Sequence, residues 1–114
     1  MNGPAGGETS GPERTPNGRY IVVGGRRWRA TDPLLDEQTS ARLRKHLGTA
    51  RSRIGRLRDE AEKAPWRARV QLAKEGLGER GPAWWELDEA QRTERAARSL
   101  SRLDAAEDLP ADQP

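Results

Sequence analysis

The sequence predicts a small α+β fold that is mostly α: an N-terminal β-hairpin packed on an antiparallel helical hairpin, plus a third helix and disordered termini. Three observations predict it. The β-rich run Tyr20-Ile21-Val22-Val23 leads through Gly24-Gly25 into Arg26-Arg27-Trp28-Arg29, the pattern of two strands joined by a two-residue turn at positive φ. Leu43, Leu47, Ala50, Ile54, Leu57 and Ala61 alternate spacings of four and three, the apolar seam of a helix. Trp66, Val70, Ala73 and Leu77 repeat that spacing after Pro65, and two such seams joined at a proline corner bury each other best as a hairpin.

Taken in order, residues 1–17 are rich in Gly, Pro, Thr and Asn without periodicity and read as a disordered tail. A single domain is expected over residues 18–104, opening with the hairpin over 18–30. Folding about Gly24-Gly25 sets Val23 opposite Arg26, Val22 opposite Arg27, Ile21 opposite Trp28 and Tyr20 opposite Arg29. Residues that face each other across a ladder share a side of the sheet, so Ile21, Val23 and Trp28 line one face, which should bury Trp28 against the helices. Thr31 or Asp32 can cap a helical turn starting at Pro33. Helices are expected over 34–63, 65–77 and 87–103, with Pro65 breaking the first and Gly78 stopping the second. The third carries a looser apolar line, Leu87, Ala90, Ala97, Leu100 and Leu103, and residues 105–114 form an acidic tail.

Composition narrows the function classes. Leu, Ile, Val and Phe make up about 14% of 114 residues, a thin apolar supply, so the four tryptophans (Trp28, Trp66, Trp84, Trp85) are the natural anchors. The absence of cysteine excludes disulfides, thiolate metal sites and thiol nucleophiles. The first residues lack the apolar stretch of an export signal, and no run approaches 18 apolar residues. A cytoplasmic protein without membrane association is expected.

No catalytic, cofactor-binding or metal-ligating set is signalled. His46 is the one histidine, with neither an orienting carboxylate nor a nucleophile nearby in sequence. Asp59, Glu60 and Glu62 lie among Arg56, Arg58 and Lys63 and read as helix-surface pairs. Charge is segregated: residues 41–80 sum to +7 and residues 86–114 to −4. Arg44, Arg51 and Arg58 recur every seven residues, with Arg53 beside them, and Arg67, Arg69 and Lys74 make the second helix basic. These seven are the candidate nucleic-acid contacts, since an acidic partner such as a phosphate backbone would complement them. Trp84 and Trp85 in a Gly/Pro setting either cap the core at the end of the helical hairpin or stand as exposed anchors; with Tyr20, Arg27 and Arg29 on the hairpin's second face they are the candidate protein-partner residues, because Trp and Arg dominate interface hot spots. The expected role is a non-enzymatic binding or adaptor protein without cofactor, with low-specificity nucleic-acid binding as the alternative.

Two stretches, Arg26-Arg27-Trp28-Arg29-Ala30-Thr31-Asp32-Pro33 and the run from Val70 through Gly81-Pro82-Ala83-Trp84-Trp85, resemble blocks of a family of short bacterial proteins from GC-rich genomes often labelled biopolymer transporter Tol. The resemblance covers about residues 18–86 and brings no activity or site residue with it. The extended N-terminus and Gly76, where a better helix former is expected, depart from the family pattern.

Overall fold

The computed structural model describes residues 13–107. The chain divides into two compact units, residues 1–30 and 31–114, where one domain was expected.

Three antiparallel strands are described in the first unit, β1 (Glu13–Arg14), β2 (Tyr20–Val23) and β3 (Arg26–Arg29), in the order β1-β2-β3. The β2–β3 register is the expected one, Tyr20 opposite Arg29 through Val23 opposite Arg26, with Gly24 and Gly25 at φ +59° and +79°. That turn needs two residues free to take positive φ, and Gly-Gly supplies them. Strand β1 is a correction to the expected tail, pairing Glu13 with Val22 and Arg14 with Ile21. Its physical source is the Thr-Pro-Asn-Gly turn. Asn17 Oδ1 accepts from Thr15 Oγ1 at 2.8 Å and from the Arg19 N–H at 3.0 Å, while the Gly18 N–H donates to the Thr15 carbonyl at 2.8 Å. Residues 1–12 of that tail lie outside the described residues.

The face expected to be buried is open. Val23 is 48% and Trp28 42% exposed, and Arg26, opposite Val23 and hence on the same face, lays its guanidinium 4.5 Å from the centre of the Trp28 ring. A cation covers the indole in place of an apolar neighbour.

In the second unit three helices follow, α1 (Glu37–Arg56), α2 (Glu60–Gly76) and α3 (Glu89–Glu107), with a 3-10 turn at Trp84–Glu86. Asp32 caps the turn at Pro33, as expected, its Oδ1 accepting from the Leu34 N–H at 2.9 Å; α1 itself starts later, where Asp36 Oδ1 accepts from the Thr39 N–H at 2.7 Å. The first corner also differs from expectation. Pro65 lies inside α2, and the chain turns instead at residues 57–59. Asp59 accepts from the Ala61 N–H at 3.0 Å, with Glu60 and Glu62 in the first turn, favourable charge at a helix N-terminus. The proline falls just past that turn, so only one backbone donor, toward Ala61, is forgone.

The end of α2 is where expected. Gly78 at φ +84° donates its N–H to the Glu75 carbonyl at 3.1 Å, and the Glu79 N–H donates to the Lys74 carbonyl at 2.9 Å, the paired bonds of a Schellman cap. Residues 105–107, expected in the tail, complete α3; residues 108–114 lie outside the described residues.

Leu43 and Leu47 of α1, Ala73 of α2, Leu77, and Ala96, Leu100 and Leu103 of α3 form the core, flanked by Leu35, Val70 and Leu72. On α3 the buried face runs through Arg95, Ala96, Ser99, Leu100 and Leu103, while Ala90 and Ala97, expected to face inward, are exposed. Gly76 explains how the layers meet. A Cβ there would come within 2.8 Å of Ser99 Cβ and 3.0 Å of Leu43 Cδ2, so the three helices converge where α2 has no side chain. This is why a better helix former is missing.

The glycines make a matched test. Gly76→Ala should destabilise the protein by about 1–3 kcal/mol through overpacking. Gly48→Ala, with open space about its Cβ, should stabilise it by up to about 1 kcal/mol. Urea denaturation of both variants checks the opposite signs.

Candidate binding surfaces

The residues of the two familiar blocks that lie in the helical unit meet at one buried carboxylate. Asp32 is 2% exposed. Its N–H donates to the Leu77 carbonyl at 2.9 Å, its Oδ1 accepts from the Leu34 N–H at 2.9 Å, and Arg92 Nε donates to its Oδ2 at 2.9 Å. The Arg92 guanidinium also lies 5.2 Å from the Trp84 ring centre, and hydrogen bonding to Asp32 raises its pKa above the ordinary value. Beside it, Thr31 Oγ1 donates to Glu79 Oε2 at 2.7 Å. Trp84 is therefore a core residue, 8% exposed. Trp85 meets it edge-on at 5.1 Å and is half-buried. The arrangement is structural: it ties the segment before α1 to the end of α2 and to α3.

A groove of about 620 Å³ runs between α1 and α3, with Leu35, Ala96, Ala97 and Leu100 on its walls and Arg42 and Asp104 at one end. Asp104 binds both Arg42 Nη2 and His46 Nε2, the latter at 2.8 Å. Sequence reasoning left His46 without a carboxylate because Asp104 is 58 residues away, and no local pattern reports a bond at that separation. The bond orients the imidazole and ties α3 to α1. Chief among the causes, it holds the Asp104 carboxyl below its ordinary pKa, with the Arg42 charge assisting. Among the described residues, no three His, Cys, Asp or Glu side chains are placed to hold a metal ion, and no helix is long and apolar enough to cross a membrane.

The candidate nucleic-acid contacts divide into groups. Arg44 and Arg51 are exposed on α1, whereas Arg58 lies in the α1–α2 connection, so the seven-residue recurrence leaves the helix at its third member. Lys74 is half-buried with Arg51, Arg80 and Glu79 near enough to perturb it; desolvation, then the two arginines, lower its pKa against the opposing effect of Glu79. Arg53 and Arg69 lie 5.1 Å and 4.1 Å from the Trp66 ring centre, a cation–π group carried by both helices of the hairpin. Arg67 is committed to Glu60 Oε1 at 2.6 Å.

No protein-family model, curated protein or solved structure matches this chain. The site must be read from its own geometry.

On the first unit, Arg27 stacks 4.7 Å from the Tyr20 ring centre and Arg29 is half-buried. The opposite face carries Val23, Arg26 and Trp28. Each side of this small sheet thus pairs an aromatic ring with a guanidinium.

The Asp104 cluster has a defined pH signature. A carboxyl whose pKa is lowered on folding stabilises the fold above its unfolded value and loses that contribution as the pH falls through the folded value. Asp104→Asn should therefore lower the denaturation midpoint at pH 7, and the difference from the parent should close below the ordinary value of 3.8. Denaturation curves of both proteins across pH 2.5–7 check this, and a gap unchanged at the acid end would refute it.

Proposed function

We propose that the chain is a non-enzymatic cytoplasmic binding protein that associates with a protein partner through the open face of its N-terminal sheet. The observation that carries this reading is the pair Val23 and Trp28. Among the described residues they are the large apolar side chains left exposed, and Arg26 lies over the indole. An exposed Trp–Arg pair with an aliphatic neighbour is the composition of an interface hot spot. The likeness of the two sequence blocks to the Tol-labelled family adds no activity to this reading.

A second reading, low-specificity nucleic-acid binding, is favoured by one observation: Arg51, Arg80 and Lys74 are close enough that the two arginines disfavour the charge on Lys74. A polyanion would relieve that repulsion. The acidic side chains of α3 are not a separable screen for this charge, because the same helix supplies Leu100 and Leu103 to the core.

Affinity capture from the producing cells, with and without nuclease, separates the readings. The partner should survive nuclease, should be lost with Arg26→Ala/Trp28→Ala, and should be retained by Arg51→Gln/Lys74→Gln. Recovery abolished by nuclease and by the second variant alone would replace the first reading with the second.

A further inference from the structure

The hairpin end that carries Trp66 is basic, aromatic and beside the point where the described chain ends. Arg69, which packs on Trp66 from one side, donates through Nη2 to the Ala106 carbonyl at 3.5 Å. Arg53 reaches the same ring from α1. The last carbonyls of a helix carry negative partial charge, so α3 already delivers one electronegative group to this patch. The chain then continues as Asp108-Leu109-Pro110-Ala111-Asp112, two carboxylates and a leucine within five residues.

We infer that residues 108–112 dock in cis on the Arg53–Trp66–Arg69 surface, the aspartates meeting the guanidiniums. Reach, charge and chemistry agree. At about 3.4 Å per extended residue, Asp112 can lie up to about 20 Å from Ala106. The span of α2 from Arg69 back to Glu60 is about 14 Å at 1.5 Å per residue, so the segment is long enough to cross Trp66. Both arginines lie within about 5 Å of the ring centre, and a guanidinium carries five N–H donors, more than a ring contact uses, in the fork geometry that suits a carboxylate. Pro110 favours an extended conformation of the residue before it, which suits a segment laid along a helix rather than one prolonging α3. The inference is independent of the partner proposed for the N-terminal sheet, since it concerns the opposite end of the sequence.

Because the chain lacks cysteine, Ala111→Cys gives a single attachment point for a nitroxide on the full-length protein. The readout is paramagnetic broadening of the four tryptophan indole N–H signals. Docking predicts that Trp66 is broadened most, and that Asp108→Asn/Asp112→Asn reduces its relaxation enhancement about threefold or more. Raising the salt from about 0.1 M to about 1 M should do the same, since the screening length falls from about 10 Å to about 3 Å. Equal broadening of Trp66 with and without the two aspartates would overturn the inference, because a tethered chain with no affinity for the patch gives that result. A mixture of isotope-labelled chain with separately spin-labelled chain should show no broadening at Trp66; broadening there would make the occupant a second copy and overturn docking in cis.

Discussion

Asp32 is a buried carboxyl group at the meeting point of three segments, and the helical unit is organised around keeping it satisfied. Removing a carboxylate from water costs several kcal/mol unless a counter-charge and hydrogen bonds replace the solvent. Here the carboxylate is met by the Leu34 N–H just after it and by Arg92 in α3, while the Asp32 backbone N–H donates to the Leu77 carbonyl at the end of α2. The chain before α1 is thereby held against the end of α2, and α3 is placed where Arg92 can reach. Gly78 is part of the same constraint. A Cβ there would lie 2.9 Å from Asp32 Cβ and 3.1 Å from Trp84 Cδ1, so the left-handed cap that ends α2 also makes the close approach to Asp32 sterically feasible.

That constraint explains why a chain with so few aliphatic residues folds. Apolar burial is concentrated in a handful of leucines and alanines, and α3 presents Arg92, Arg95 and Ser99 along or beside its inward face. Arg95 extends the pattern, donating from Nη1 to the Pro82 carbonyl at 2.7 Å. Polar side chains with defined partners thus do at the α2–α3 end what larger hydrophobes do in richer cores, and they specify one arrangement because a shifted register would strand a buried charge.

The same physics decides what could be read from sequence. The β2–β3 register was legible because a Gly-Gly turn sets it locally, and the end of α2 was legible because Gly78 allows only one kind of cap. The first corner lies before Pro65 rather than at it, because an Asp59 cap with two acidic residues in the first turn tolerates a proline one turn later. Leu100 and Leu103 were legible on the inward face of α3, but its other half was not, because apolar periodicity is blind to Arg95 and Arg92, whose partners are 13 and 60 residues away. Trp28 is where the expectation fails, a sheet neighbour, Arg26, making its exposure tolerable. Trp84, of the two places open to it, takes the buried one, beside Arg92 and Trp85. Among the candidate site residues, the basic positions were legible as charges, but their division between Trp66, Glu60 and the Lys74 cluster depends on tertiary geometry.

The central claim is that the Asp32–Arg92 pair is an interaction the fold depends on rather than one it merely contains. A double-mutant cycle of Asp32→Asn and Arg92→Met, measured by urea denaturation, tests it most directly, since Asn preserves an acceptor for the Leu34 N–H while removing the charge. Each single variant should lose about 3 kcal/mol or more by leaving a buried group without its counter-charge. The double variant should lose less than the sum, by a coupling of about 1–3 kcal/mol. Additive losses, with coupling near zero, would contradict the account.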